Sequence, residues 1–196
     1  GAVGSVVGAE ATDFNNMPFL ASMTNKGLFT WNSISSDYNA DISYYADLLT
    51  GVNRQKHQVS TSNLDGAKLT AYPLIFDRIK KETGGRTAVI SSNTDLQALS
   101  QNSTIDNKQF FQSDAEVVTE AKKELAKDDA YFSLITLKNI DKVGKEFGYG
   151  PKNADYIKAL KDADNQIKEL VTTIESRSKY STERWLIVVT SHRGGN

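Results

Sequence analysis

Residues 131–148, YFSLITLKNIDKVGKEFG, and residues 185–196, WLIVVTSHRGGN, decide how this chain is read. Each begins with an apolar run of the kind that forms a buried strand, and each run gives way to polar residues. Between them, residues 154–177 place Ile157, Leu160, Ile167, Leu170 and Ile174 on one face of a helix. Strand, helix and strand in that order describe a βαβ crossover between parallel strands. Open sheets of this kind carry their sites beyond the carboxyl ends of the strands. Asp141 and Lys145 follow the first strand, and His192 and Arg193 follow the second. The four converge if the two strands are neighbours.

The same alternation runs upstream. Residues 17–25 read as a short helix that Gly27 ends, and 28–34 (LFTWNSI) alternate apolar and polar like a strand. Residues 42–49 read as a helix closed by Gly51, and 74–81 (LIFDRIKK) as a helix that stops at Gly84-Gly85. A buried-type strand follows at 87–91 (TAVIS). Ser113-Asp114-Ala115-Glu116 has the form of a capping box and predicts a helix to residue 127. The expected fold class is α/β, a mostly parallel sheet flanked by helices on both faces. No Pro/Gly/Ser linker divides the 196 residues, so a single domain over 1–196 is expected.

Composition narrows the function classes. A content of 39% hydrophobic and 24% charged residues is that of a globular chain, not a disordered one. The net charge of −1 lacks the basic excess that binds nucleic acid or anionic lipid. Zero cysteines exclude disulfides and thiolate metal sites. No apolar run approaches the ~20 residues that span a bilayer.

Taken in order, the segments resemble the alkaline phosphatase superfamily, in particular its type I phosphodiesterase / nucleotide pyrophosphatase branch. Asn139-Ile140-Asp141-Lys142-Val143-Gly144-Lys145-Glu146-Phe147-Gly148 is similar to that family's D-x-x-G-H-x-x-G motif. Tyr156-Ile157, Asp164 and Ile167 follow on the helix, and IVVTS-His192-Arg193-Gly194-Gly195 stands where the family has a strand ending in S-D-H-G. Upstream, Met17-Pro18-Phe19-Leu20 and Ala46-Asp47-Leu48-Leu49-Thr50-Gly51 with His57-Gln58-Val59 resemble the T-P-N-L and S-L-L-T-G…H-G-V segments. The resemblance implies an alkaline phosphatase-like core whose first strand precedes Gly1 and whose last part follows Asn196.

Members of that family use two divalent cations to activate a Thr or Ser nucleophile, and such ions need carboxylates and neutral imidazoles. The resemblance gives Asp141 the place of one ligand. Lys145 stands where His is implied, His192 where Asp is implied, and Arg193 where His is implied. The nucleophile position maps onto Asp41, or onto Ser43 if the register slips by two. Protonated Lys and Arg have no lone pair to offer a metal. At an effective dielectric near 20, like charges about 4 Å apart repel by ~4 kcal/mol. Asp41, Asp141, Lys145, His192 and Arg193 therefore read as a relic pocket in which salt bridges replace metals.

Other readings stay open beside that one. Asp41 also suits a helix N-cap. Lys145 and Arg193 suit an anion such as a phosphate group, and Asp141 with His192 would form a poor metal site. His57, in a polar loop, reads as structural or solvated. The expected function is a non-catalytic, metal-site-degraded phosphatase- or phosphodiesterase-like domain with a binding or structural role and no cofactor. The alternative is a metal-dependent phosphodiesterase or phosphatase that uses Zn or Mn with an atypical ligand set. A phosphate-containing small molecule is the expected partner, and nucleic acid is not. The resemblance implies a periplasmic or cell-surface location.

Overall fold

A computed structural model describes residues 16–30 and 40–192. Its elements, in chain order, are α1 (Pro18–Met23), α2 (Asp41–Thr50), α3 (Arg54–His57), α4 (Ile75–Thr83), β1 (Arg86–Ser91), α5 (Thr94–Leu99), β2 (Asn107–Phe110), α6 (Asp114–Leu125), β3 (Ala130–Thr136), α7 (Asn139–Phe147) and α8 (Ala154–Glu175). They fall into two compact units, one over Ser35–Thr136 and the other over Gly1–Ile34 with Leu137–Asn196.

The first of these units holds an all-parallel sheet in the order β2-β1-β3. Central β1 has both neighbours, and every residue from Thr87 to Ser91 is buried. A strand covered on both faces needs the unbroken apolar character of Ala88, Val89 and Ile90. Val89 joins one core cluster with Leu49 and Ile42 of α2, Phe76 of α4 and Leu96 of α5. Phe76 meets Phe132 of β3 edge to face at 5.4 Å. Ala88 and Ile90 alternate to the opposite face, and α6 buries Val117, Val118, Ala121 and Leu125 while contacting all three strands. The expected α/β class, with helices on both sides of a parallel sheet, is the class observed.

Caps follow local chemistry. Ser113 accepts from the Glu116 N–H while the Glu116 carboxylate accepts from the Ser113 N–H, closing the predicted capping box. Gly51 and Gly84 end α2 and α4 at φ 71° and 68°, left-handed conformations that favour glycine. At the foot of the sheet, the buried Glu124 of α6 accepts from Arg86 of β1 at 2.6 and 3.2 Å and from Asn107 of β2 at 2.9 Å. One carboxylate thereby ties two strands to the helix that covers them.

In the other unit the regular elements among the described residues are helices. Tyr156 and Leu160 of α8 bury against Met17, with Leu20 of α1 and Ile140 and Val143 of α7 packed around them. Asp164, buried on α8, accepts from the N–H groups of Phe19 and Leu20 at 2.9 and 2.8 Å. It thereby satisfies donors that the first turn of α1 leaves without intrahelical partners. Beyond α8, Arg177 holds Glu183 through two bonds of 2.7 and 2.8 Å. The Trp185 indole donates to the same carboxylate, and the guanidinium lies 5.0 Å over its ring.

Several sequence expectations need correction. No strand forms over residues 185–190, where Leu186 and Val188 are 87% and 70% exposed. The expected βαβ crossover is therefore not formed among the described residues. An apolar run becomes a strand only when a partner accepts its backbone hydrogen bonds, and composition does not supply the partner. Residues 28–30 form no strand either, and the rest of the segment expected at 28–34 lies outside the described residues. The helix expected at 17–25 is the shorter Pro18–Met23, with Thr24 rather than Gly27 at its end. The polar loop around His57 contains the short helix α3.

Candidate functional site

Helix α7 carries the centre of the site. Ile140 and Val143 turn toward the core, which fixes the phase of the helix. Asp141 then lies in its first turn and Lys145 in its last. Negative charge at the start and positive charge at the end both suit the helix dipole. One turn apart on the same face, the two meet: Lys145 Nζ is 2.8 Å from Asp141 Oδ2. The Asp141 side chain is 27% exposed and that of Lys145 53%.

The other carboxylate oxygen is also engaged. Tyr149 Oη donates to Asp141 Oδ1 at 2.7 Å. The chain reverses to allow this at Gly148, whose φ is 93°. Asn153 braces the reversal by donating to the carbonyls of Phe147 and Gly148, while its own side-chain oxygen caps α8. The Tyr149 ring lies directly over Gly144, where an added Cβ would stand 2.1 Å from the ring. Its other neighbour is Tyr156, edge to face at 5.5 Å. The Tyr156 hydroxyl is buried without a hydrogen-bond partner, and burial, then the Asp141 charge, push its pKa up.

The other sequence candidates are His192, Arg193, Asp41 and Ser43. His192 belongs to the same unit as Asp141 and Lys145, half-buried in a bend after residue 191. Arg193 lies outside the described residues. Asp41 belongs to the sheet-bearing unit. It is the first residue of α2 and not its N-cap, which is Ala40, and its charge suits the first turn. Ser43 is fully buried and donates to the Val59 carbonyl at 2.9 Å, so its hydroxyl serves the fold.

His57 is structural. Its ring is fully buried, the Val59 N–H donates to Nδ1 at 2.9 Å, and Nε2 donates to Asp47 Oδ1 at 2.7 Å. Val59 therefore supplies contacts to both Ser43 and His57, and the loop after α3 is latched onto α2. Both imidazole nitrogens are committed, which leaves no lone pair for a metal.

Among the described residues, no group of three or more His, Asp or Glu side chains gathers closely enough to hold a metal ion. Among the described residues, the Asp141 carboxylate meets an ammonium and a phenol, both donors toward it. Tyr149 was absent from the sequence reading. Its only signal is position: a tyrosine just beyond Gly148, able to fold back over the one residue of α7 that lacks a side chain.

Residues 86–194, more than half of the chain, match the sequence model of the family described as Type I phosphodiesterase / nucleotide pyrophosphatase. The match starts at β1 and runs through the Asp141 helix to the segment after His192. No curated protein gives a significant match. The order of segments read from the sequence, the parallel α/β sheet and this match agree, and the chain belongs to the type I phosphodiesterase / nucleotide pyrophosphatase family of the alkaline phosphatase superfamily.

Proposed function

We propose that this member of a phosphoester-hydrolase lineage is non-catalytic and serves a binding or structural role. One observation carries the reading. Both oxygens of Asp141 are hydrogen-bonded inside the protein, to Lys145 at 2.8 Å and to Tyr149 at 2.7 Å. A divalent ion needs donors of electron pairs, and a lysine ammonium offers none. Its positive charge also repels the ion at short range. The described residues around Asp141 thus do not fit the metal that the family resemblance implies. Ser43 supports the same reading, since a hydroxyl sealed against the Val59 carbonyl is a poor nucleophile.

The binding role proposed is toward a phosphate-containing small molecule or another anion. Lys145 keeps half of its side chain in solvent, and Arg193 follows in sequence after His192. A periplasmic or cell-surface location is part of the same proposal and rests on the family resemblance alone.

The second reading, a metal-dependent phosphodiesterase or phosphatase, is favoured by the family match over 86–194. Turnover of a nitrophenyl phosphate and a nitrophenyl phosphodiester, with Zn²⁺ or Mn²⁺ added, separates the two. The non-catalytic reading expects no turnover above the metal-only blank. Chelator-sensitive hydrolysis that disappears in Asp141→Ala establishes the enzyme instead.

A further inference from the structure

We propose that Tyr149 is a positioning residue that locks the Asp141 carboxylate into the protein and excludes cations from it independently of Lys145. The inference rests on the reading that Asp141 is committed internally, and it assigns that commitment to a residue outside the family-like motif.

The Asp141–Lys145 pair alone does not account for a locked carboxylate. A partly exposed pair one helical turn apart stabilises a helix only weakly, and solvent opens it readily. More than half of the Lys145 side chain is exposed. Tyr149 is held differently. Its hydroxyl meets Asp141 Oδ1 at 2.7 Å, and its ring is seated over Gly144 and walled by Tyr156. The backbone on either side is fixed by the Gly148 N–H donating to the Gly144 carbonyl and by the Asn153 clasp. Tyr149 is a donor placed by packing, whereas Lys145 is a donor on a flexible stem.

This arrangement also explains Gly144. Alanine at that position would bring a methyl carbon within 2.1–2.7 Å of three Tyr149 ring atoms. The aromatic seat exists only because α7 has no side chain there. Glycine at 144 and tyrosine at 149 are one device: the first makes room, and the second closes on the carboxylate.

The test gives Asp141 a metal-ligating neighbour and asks whether Tyr149 still guards it. Lys145→His removes the ammonium and sets an imidazole one helical turn from Asp141, where the two ligands share a face. Zn²⁺ affinity is measured by titration calorimetry for Lys145→His, for Lys145→His with Tyr149→Phe, and for each with Asp141→Asn added. A hydrogen bond to a charged group accounts for roughly tenfold or more in an equilibrium constant. The expected result is that Tyr149→Phe tightens Zn²⁺ binding by about that factor, and that Asp141→Asn abolishes the gain. Gly144→Ala in the Lys145→His background, which displaces the ring and leaves the phenol intact, should reproduce it. Equal Zn²⁺ affinity with and without the Tyr149 hydroxyl overturns the inference, as does a gain that survives Asp141→Asn. Thermal unfolding confirms that each variant is folded. Phosphoester turnover by the wild-type protein is scored separately. Activity there sinks the non-catalytic reading, whereas unchanged affinity beside an inert wild type sinks only the role of Tyr149.

Discussion

Replacing Glu124 tests the polar junction beneath the sheet. The Glu124 side chain is 1% exposed and accepts two bonds from Arg86 and one from Asn107. Burial pushes its pKa up, but the Arg86 and Asn107 hydrogen bonds and the Arg86 charge outweigh burial and hold it below its ordinary value. Breaking a fully buried ion pair costs about 3–5 kcal/mol. Arg86 keeps 23% of its side chain exposed and has Asp129 at 3.9 Å, so part of its charge stays solvated after the loss. Discounting for that screening leaves about 2–3 kcal/mol for Glu124→Ala and about 1–2 kcal/mol for Glu124→Gln. For a chain of this size Glu124→Ala should lower Tm by about 5–10 °C. The pH dependence follows from the sign of the shift. A carboxyl whose folded pKa is depressed contributes stability above its unfolded pKa and loses it as pH falls through the folded value. Arg86, raised chiefly by its hydrogen bond to Glu124, stays charged throughout that window and adds no slope. Asp106 is also held low, first by the Lys80 hydrogen bond and then by the Thr87 N–H, and it keeps its own share of the acid slope in the variant. Thermal unfolding by circular dichroism from about pH 7 to about pH 3 should therefore show a shallower acid loss in Glu124→Gln than in wild type. Parallel profiles, or a Glu124→Ala protein melting within about 1 °C of wild type, would refute the assignment.

Three further outcomes are expected. Arg177 and then the Trp185 indole pull the Glu183 pKa down to about 2, so their clasp is intact above that value and opens as pH falls through it. In a Trp31→Phe background, Trp185 emission should hold steady on acidification until about pH 2 and then shift, and Glu183→Gln should produce the shift at neutral pH. Emission unaffected by that substitution contradicts the clasp. Asp164→Asn weakens an acceptor shared by two N–H groups and should destabilise the docking of α1 on α8 by about 1–3 kcal/mol, read as faster amide exchange at Phe19 and Leu20; unchanged exchange there counts against it. Ser43→Ala removes the hydroxyl that donates to the buried Val59 carbonyl and should cost about 1 kcal/mol of stability, read as a lower Tm. An unchanged Tm in that variant contradicts the bond.

What the sequence revealed was what local chemistry decides. The Ser113 capping box, the left-handed glycines at 51 and 84, the apolar run at 87–91 and the long helix α8, expected to 177 and ending at Glu175, carry their signals in adjacent residues. Strand β2 escaped because NKQF has no apolar alternation, and among the described residues it pairs only with β1. Residues 185–190 misled in the opposite sense: they are apolar enough for a strand, but a strand also needs a neighbour. Within the site, Asp141 and Lys145 were legible because a helix brings i and i+4 together. Tyr149 was not, since its contact depends on a chain reversal at Gly148 and on the empty space over Gly144. Glu124 and Asp164 were equally hidden, because their partners lie 38 and 145 residues away. A charged residue on a helix looks solvated until the fold delivers its partner.

The most direct test of the central claim is crystallographic. Crystals of the wild-type protein soaked with Mn²⁺ would be measured for anomalous scattering at the manganese edge. No anomalous peak is expected within coordination distance of Asp141, about 2–2.6 Å, and both carboxylate oxygens should remain bonded to Lys145 and Tyr149. A manganese ion on Asp141, with the ammonium and the phenol turned away, would contradict that claim.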